Sequence, residues 1–270
     1  MSGAPAPATV VAPAKLTLSL RVTGVRADGY HLLDAEMVAI DLADDLVFAA
    51  GDGVTVVDEV VGGLGTAAVP AGHDNLVARA LAAVGRRAAV RVVKRIPAGA
   101  GLGGGSADAA AVLRWAGVRD PAVAVALGAD VPFCLAGGRA RVRGVGEVVT
   151  PLPPEERTFV LLVPPVVVAT ADVYRAWDAR HPRGGAGPVP GQGAAGNDLE
   201  DAALDVAPVL GQWRDRLAAC TGRRPRLAGS GATWFVEGTP AELGLDGRGQ
   251  LDLDGARAPL VAVRTVAPPR

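Results

Sequence analysis

The chain has 270 residues, half of them hydrophobic, and a formal net charge of −1 at neutral pH. This length and apolar content suffice for one compact unit or two modest domains, and the balanced charge excludes non-specific attraction to nucleic acid or acidic membranes. Cys134 and Cys220 are too few for a disulfide-stabilised secreted protein, so we expect buried, reduced thiols, and since no leader or long apolar run is present we expect a cytoplasmic protein.

The first half of the chain mixes predicted strands and helices. The pattern predicts strands over 14–23, 36–48, 53–60 and 90–96, helices over 75–84 and 106–116, a helical turn over 121–127 and strands within 139–149. Pro151, Pro153 and Pro154, followed by two acidic residues, predict a boundary between a domain of residues 1–154 and a domain of residues 155–270.

The second half begins with a predicted strand over 159–163 and a helix over 170–180. Six glycines and three prolines leave residues 181–196 too poor in apolar side chains to pack, which predicts a flexible excursion. The pattern then predicts a helix over 205–219, strands near 225–228 and 233–237, a weak helical stretch after 238 and a last strand over 260–266. Because regular βαβ alternation is lacking, the sequence predicts an α+β fold.

A glycine loop within residues 97–110 joins the strand at 90–96 to an alanine-rich helix. Its glycines remove the Cβ atoms where the chain turns, so consecutive N–H groups can point into one concavity beside a helix N-terminus, which suits a polyphosphate. A mobile surface loop or a tight turn would use the same residues. The Walker pattern fails because Gly105 stands where it needs lysine, whereas the dinucleotide pattern fits formally as Gly99-x-Gly101-x-x-Gly104, although about ninety residues precede it.

Only two of the 27 basic residues are lysines, Lys15 and Lys94. A compact ammonium suits a crowded site beside a reacting hydroxyl or phosphate better than the wider guanidinium of arginine. For Lys94 the simpler interpretation is the solvated end of a strand. Lys15, Thr17 and Ser19 form the polar side of an alternating strand, and the spacing alone favours solvent for that side. A second small-residue loop, 228–233, is either a plain hairpin or another surface that approaches a ligand.

Four segments together resemble the GHMP kinase superfamily and, within it, the family of 4-diphosphocytidyl-2-C-methyl-D-erythritol kinases. They are Pro13–Leu16 with Ala27–His31, the glycine loop, Gly128–Cys134 with Gly137-Gly138 and Gly146-Glu147, and Asn197–Glu200 with Gly229–Thr233. The tetrad Asp28-Gly29-Tyr30-His31 is the most discriminating, because the superfamily shares the loop but not the tetrad. The resemblance covers nearly the whole chain and implies a two-domain fold with an N-terminal ribosomal-S5-like α/β domain and a C-terminal ferredoxin-like α+β domain.

The resemblance implies transfer of the γ-phosphoryl group of ATP to the 2-hydroxyl of 4-diphosphocytidyl-2-C-methyl-D-erythritol (CDP-methylerythritol), in the non-mevalonate route to isoprenoid precursors. Since the transition state of phosphoryl transfer is loose, positioning and charge compensation should dominate. The alternatives are another small-alcohol kinase of the superfamily and a non-catalytic nucleotide-binding or dinucleotide-dependent protein. The implied partner is a small molecule, without nucleic acid or membrane, and we expect a monomer or a weak homodimer.

The resemblance also implies the catalytic residues. Asp130 would orient the acceptor hydroxyl and take its proton, and the ammonium of Lys15 would steady the developing alkoxide and the transferring phosphoryl group. From residue type alone, Asp130 before an X-Pro pair fits a turn or a helix cap. Thr17 stands where the family has asparagine, and it keeps a hydroxyl but loses the second donor of an amide, which questions any role for it in holding the reacting hydroxyl.

On the nucleotide side, the resemblance implies that ATP binds the loop residues Pro97, Ala98, Gly99, Ala100, Gly101, Leu102, Gly103, Gly104, Gly105, Ser106 and Ala107. Ser106 stands where the loop becomes a helix, so its hydroxyl can cap the helix, coordinate Mg²⁺ on the ATP phosphates, or do both. Asp108, in the first turns of the same helix, could cap that helix or contact a water molecule bound to the metal, and we do not assign it to catalysis. Asn75 resembles a family residue that lines the adenine and ribose pocket, although a helix N-cap explains it equally well.

On the substrate side, the resemblance brings both tyrosines of the chain, Tyr30 and Tyr174, to the cytosine base. Two aromatic rings can sandwich a base, and His31 can add hydrogen bonds to the pyrimidine edge. The structural alternative is a hairpin aromatic at Tyr30 and an ordinary packing residue at Tyr174 on the 170–180 helix.

Overall fold

The computed structural model describes residues 8–61, 72–182 and 196–269, so the interval for which we predict a flexible excursion lies outside it except at its ends. Within the described residues, eleven strands form two sheets. The first sheet contains β1 Ala8–Val25, β2 His31–Ala49, β3 Gly53–Asp58, β4 Ala89–Lys94, β5 Arg139–Gly144 and β6 Val148–Pro151. The second contains β7 Thr158–Leu162, β8 Arg226–Leu227, β9 Trp234–Glu237, β10 Gln250–Leu253 and β11 Ala256–Arg264.

Helices flank both sheets. Those that accompany the first sheet are a 3-10 turn at Gly72–Asp74, α1 Leu76–Ala83, α2 Gly104–Trp115, α3 Pro121–Leu127 and α4 Val131–Ala136. Those that accompany the second are α5 Thr170–Arg180, α6 Glu200–Val206 and α7 Val209–Thr221. In the part of the chain that the structure describes, none of these helices combines the length and hydrophobicity needed to cross a lipid bilayer.

Strand β2 organises the first sheet. It pairs antiparallel with β1 over nearly its whole length, with β5 near its N-terminal end and with β4 near its C-terminal end. Strand β3 adds to β4 in parallel, and β6 adds to β5 antiparallel. The chain therefore leaves β4 beside the middle of the sheet, passes through the glycine loop and enters α2, which packs against β1, α1 and α4.

The second sheet is antiparallel throughout, in the order β10-β11-β7-β9-β8. Segments next to this sheet contact the first sheet through their backbone. The amide of Val266, after β11, donates to the carbonyl of Ala39, and the amide of Asp198, before α6, donates to the carbonyl of Leu20, each at 3.0 Å. One continuous hydrophobic core contains residues of both sheets. The two sheets use chain segments on either side of residue 154, and the predicted domain boundary there stays a prediction.

Two expected elements differ from the structure. The predicted helix over 205–219 is wrong at its start, because the chain forms α6 and α7 with a break at Ala207-Pro208. A residue before proline avoids the helical region, and Ala207 has φ −140° and ψ 81°. The weak helical stretch predicted after 238 is also wrong, since the chain forms turns at 240–244 and 246–247 and then the hairpin of β10 and β11. Asp254 and Gly255 both have positive φ, as a two-residue hairpin turn of this type requires.

The cysteines only partly match the expectation. Both thiols are free, and Cys134 is buried in α4, but Cys220 on α7 is partly exposed. Burial raises the pKa of Cys134 to about 12, which keeps this thiol protonated and unreactive at neutral pH.

Candidate active site

A cavity of about 440 Å³ opens between the glycine loop, the start of α1, the start of α4 and the 228–233 loop. Its walls include most of the nucleotide and catalytic residues that the sequence suggested, together with several others: Lys15, Asn75, Lys94, Pro97, Ala98, Gly99, Ala100, Gly101, Leu102, Gly103, Gly104, Gly105, Ser106, Asp108, Asp130, Ser230 and Gly231. Ala107, by contrast, is completely buried in α2 and does not line the cavity.

The glycine loop owes its shape to two close approaches. Gly103 has φ +70°, and a Cβ there would lie 2.8 Å from Cγ of Lys15. Gly101 has φ +81°, and a Cβ there would overlap the carbonyl oxygen of Ala228 and lie 2.9 Å from the amide nitrogen of Gly231. The loop can therefore lie flat against β1 and against the second small-residue loop only because these positions lack side chains.

Helix α2 begins directly under the cavity. Its N-cap is Gly103, in the left-handed conformation and without a side-chain cap, so the first amides of α2 and its positive end are available to an anion. Ser106 is the third residue of the helix and lines the cavity, and it does not cap α2.

Lys15 and Asp130 face each other at this cavity. The ammonium of Lys15 lies 3.5 Å from a carboxylate oxygen of Asp130, and the side chain of Lys15 is 7% exposed against 35% for Asp130. Spacing alone suggested that Lys15 faces solvent, which is wrong, because the glycine loop and Gly229 cover that side of β1. Asp130 occupies the N-cap position of α4 but makes no capping hydrogen bond, so its carboxylate is available to a ligand.

Thr17 orients this lysine. The ammonium of Lys15 donates to the hydroxyl of Thr17 at 3.1 Å, and Thr17 is itself buried. The amide of Asn197 donates to the carbonyls of Leu227 and Gly229, which holds the second loop against both side chains. Thr17, the residue that departs from the family pattern, therefore contacts Lys15 directly.

The base of the glycine loop contains a buried charged cluster. Lys94 donates to Asp44 and, at 2.7 Å, to Asp108, and all three side chains are almost completely buried. The second oxygen of Asp44 accepts from the amides of Arg95 and Ile96, where β4 leads into the loop. Burial raises the pKa of Asp108, and this effect outweighs the positive charge of Lys94, which lowers the pKa. The other carboxylate oxygen of Asp108 has no hydrogen-bond partner among the described residues. The interpretation of Lys94 as a solvated strand end is wrong.

Asn75 does cap a helix. Its side-chain oxygen accepts from the amide of Val77 at the start of α1, and the residue also lines the cavity. The capping interpretation and the nucleotide-side interpretation are therefore compatible.

The aromatic residues form a separate cluster next to this cavity. The rings of His31 and Tyr174 lie 4.6 Å apart, and Nε2 of His31 lies 2.7 Å from a carboxylate oxygen of Asp178. Burial, and then the charge of Asp130, raises the pKa of Tyr174. Tyr30 is 62% exposed and its ring lies beside Arg26 instead.

Two acidic residues at these sites, Asp44 and Asp178, were not expected from the sequence. Asp44 lies on the same side of β2 as the buried Leu42 and Leu46, and an ionisable residue in such a position could have signalled a buried partner. Asp108 was considered without its partner Lys94. Asp178 lies one helical turn after Tyr174, a spacing that places both on one face of α5.

The comparisons with known proteins agree with one another. The family model for the N-terminal domain of GHMP kinases matches residues 75–118, which include the glycine loop. The chain is 41% identical over 253 residues to the 4-diphosphocytidyl-2-C-methyl-D-erythritol kinase of Paramagnetospirillum magneticum, with 84% of this chain and 87% of that one covered. It is 43% identical over 240 residues to the protein of the same name from Paracoccus denitrificans, with 83% and 84% covered. The chain belongs to the 4-diphosphocytidyl-2-C-methyl-D-erythritol kinase family.

A solved structure supports this membership. The crystal structure of a 4-(cytidine 5'-diphospho)-2C-methyl-D-erythritol kinase matches this chain with a TM-score of 0.72 and 33% identity, covering 96% of this chain and 100% of the other. The predicted resemblance to this kinase family and the predicted α+β fold are therefore confirmed.

Proposed function

We propose that the protein transfers the γ-phosphoryl group of ATP to the 2-hydroxyl of CDP-methylerythritol. Membership of a kinase family implies the use of ATP, and relatives at about two-fifths identity are named for this substrate. The observation that carries the proposal is the pair of Lys15 and Asp130, 3.5 Å apart, in the wall of a cavity that the glycine loop also lines.

The chemistry follows from this arrangement. The amides of the glycine loop and of the first turn of α2 hold the phosphate chain of ATP. Asp130, at the start of α4, accepts a hydrogen bond from the acceptor hydroxyl and takes its proton as the phosphorus–oxygen bond forms. Lys15, held by Thr17, stabilises the negative charge that develops on the acceptor oxygen and on the transferring group. Positioning and charge compensation thus supply most of the catalysis.

A magnesium ion fits this site only as a partner of the nucleotide. Among the described residues there is no group of three or more His, Cys, Asp or Glu side chains that could hold a metal. Mg²⁺ commonly binds substrate phosphates and waters with one or two protein ligands, and the Ser106 hydroxyl is suitably placed at the cavity. The unpartnered oxygen of Asp108 can accept from a metal-bound water. The ion would offset the negative charge of the phosphates.

The alternatives fit the structure less well. A dinucleotide fingerprint belongs to the first strand of a parallel sheet. Strand β4 is instead the fourth strand of the chain, and its sheet is antiparallel except for the pairing of β3 with β4. Another small-alcohol kinase would share the phosphate cavity but has no use for the aromatic cluster of His31 and Tyr174.

A coupled assay of ADP release tests the proposal. The wild-type protein should release ADP with CDP-methylerythritol and not with homoserine, mevalonate or a sugar. Asp130→Asn and Lys15→Met should each lower kcat at least about a hundredfold, because each removes a group that acts on the transferring proton or charge. Asp130→Asn should bind a fluorescent ATP analogue nearly as tightly as the wild type.

The matched controls are Asp246→Asn and Arg248→Met, which change the same types of charge at exposed positions that do not line the cavity. Both should keep wild-type rates. Absence of turnover with CDP-methylerythritol would refute the proposed substrate, and full activity in the Asp130 and Lys15 variants would refute the assigned roles.

A further inference from the structure

The contact between His31 and Asp178 is not explained by phosphoryl transfer. His31 begins β2 directly after the Asp28–Tyr30 turn, and Asp178 lies on α5, which comes from the second half of the chain. Their side chains meet at 2.7 Å, where the histidine ring is only 10% exposed. The ring also lies against Tyr174 and, edge-on, against Trp177 at 5.4 Å, so it has little freedom to rotate.

This contact determines which nitrogen of His31 carries the proton. A carboxylate can only accept hydrogen bonds, so Nε2 of His31 must donate to Asp178. In the neutral ring, Nδ1 is then a hydrogen-bond acceptor. Among the residues that the structure describes, no backbone or side-chain group pairs with Nδ1, which leaves this atom available to a ligand stacked on Tyr174.

An acceptor at this position distinguishes pyrimidine bases. Cytosine presents a 4-amino donor, whereas uracil presents a 4-oxo acceptor at the same place. To bind uracil, the neutral ring of His31 would need its proton on Nδ1, and the lone pair of Nε2 would then face the carboxylate of Asp178. That arrangement loses a charge-assisted hydrogen bond and leaves two acceptors in contact.

We propose that Asp178 is a positioning residue that makes the site selective for cytosine, by holding His31 in the tautomer whose Nδ1 accepts from the 4-amino group. The inference rests on the proposed function, because it requires that the base of CDP-methylerythritol stacks beside Tyr174. Asp178 itself does not contact the substrate in this scheme.

Kinetics with two substrates test this inference. We would measure kcat/KM for CDP-methylerythritol and for its uridine counterpart, together with the KM for ATP, in the wild type, Asp178→Asn and Asp178→Ala. The matched control is Asp172→Asn, an exposed carboxylate on the same helix that pairs with Arg175. The wild type and this control should favour the cytidine substrate at least about a hundredfold, as expected when a mismatched base leaves polar groups unpaired.

Asp178→Asn is the decisive variant, since an amide can accept from Nε2 or, after rotation, donate to it. It should keep its activity on the cytidine substrate within a few-fold and gain at least about tenfold on the uridine substrate, because either tautomer of His31 is now supported. Asp178→Ala should also gain on the uridine substrate while losing activity on the cytidine substrate. The KM for ATP should not change in either variant.

The possible results separate the two proposals. If the wild type does not phosphorylate CDP-methylerythritol, the proposed function fails and this inference fails with it. If the wild type does so, but both Asp178 variants keep the wild-type preference or lose activity on both substrates in parallel, only the inference is overturned.

Discussion

Lys94 lies between two carboxylates at the base of the glycine loop. The ammonium is the only positive partner described for the buried Asp44 and Asp108, which come from β2 and α2. Because Asp44 also accepts from two amides at the end of β4, the cluster ties together the three elements that surround the loop. A buried charged cluster of this kind stabilises the folded protein little more than apolar side chains of the same size would. Removing one partner is nevertheless destabilising, because it leaves a buried charge without a counter-charge.

Replacing Lys94 should therefore lower the stability of the folded protein. We expect Lys94→Met to lower the free energy of unfolding by roughly 3–5 kcal/mol, the usual effect of breaking a buried pair. Urea denaturation followed by circular dichroism would measure it. Adding Asp108→Asn should restore part of the loss, because one uncompensated carboxylate is removed. A double variant no more stable than Lys94→Met would argue against this electrostatic explanation.

At the scale of elements, the two small-residue loops are in direct contact at Gly101 and Gly231. A Cβ on either residue would overlap backbone atoms of the other loop. The amide of Thr233 also donates to the carbonyl of Ala100 at 3.3 Å. The 228–233 loop thus supports the glycine loop and lines the same cavity through Ser230 and Gly231.

A single methyl group should disturb this contact. We expect Gly101→Ala to weaken binding of an ATP analogue at least about tenfold, because the added Cβ forces the loops apart. Gly85→Ala is the control, since Gly85 also has positive φ, +62°, but nothing lies within 4 Å of its Cβ position. Gly85→Ala should lower the free energy of unfolding by about 1–2 kcal/mol, because alanine disfavours the left-handed backbone conformation, and it should leave the nucleotide affinity unchanged. Equal affinities in both variants would mean that the loop contact does not shape the site.

For the whole molecule, the continuous core predicts one cooperative unfolding transition. Trp115 stacks on Phe48 in the first half of the chain, whereas Trp177, Trp213 and Trp234 are buried in the second half. Fluorescence of the Trp115→Phe variant therefore reports on the second half, and far-ultraviolet circular dichroism reports on both sheets. The two urea curves should coincide, as two-state unfolding requires. Separate midpoints would instead indicate two independently stable units.

Local patterns in the sequence predicted much of this architecture. The strand, glycine loop and helix at 90–116, the N-cap at Asn75 and the mixed fold class all follow from short-range rules about glycine, capping and periodicity. The break at Pro208 and the hairpin turn at Asp254-Gly255 also had local signals that the prediction overlooked.

The partners of individual charges could not be predicted in the same way. Lys15 pairs with Asp130 although the two residues are far apart in the sequence. Lys94 and Asp44 are 50 residues apart, and His31 and Asp178 are 147 residues apart. Alternation along β1 indicates two sides but not which later segment covers each of them. The family resemblance supplied Lys15 and Asp130, whereas the other contacts required the tertiary structure.

The close contact between Gly101 and Gly231 limits how hybrids between related kinases can be built. Gly101 and Gly231 belong to segments about half the chain apart in sequence, yet each leaves no room for a side chain on the other. Swapping one segment from a homologue whose backbone bulges there would create a clash that no rotamer can relieve. A hybrid should therefore take both segments, the glycine loop and the 228–233 loop, from the same homologue.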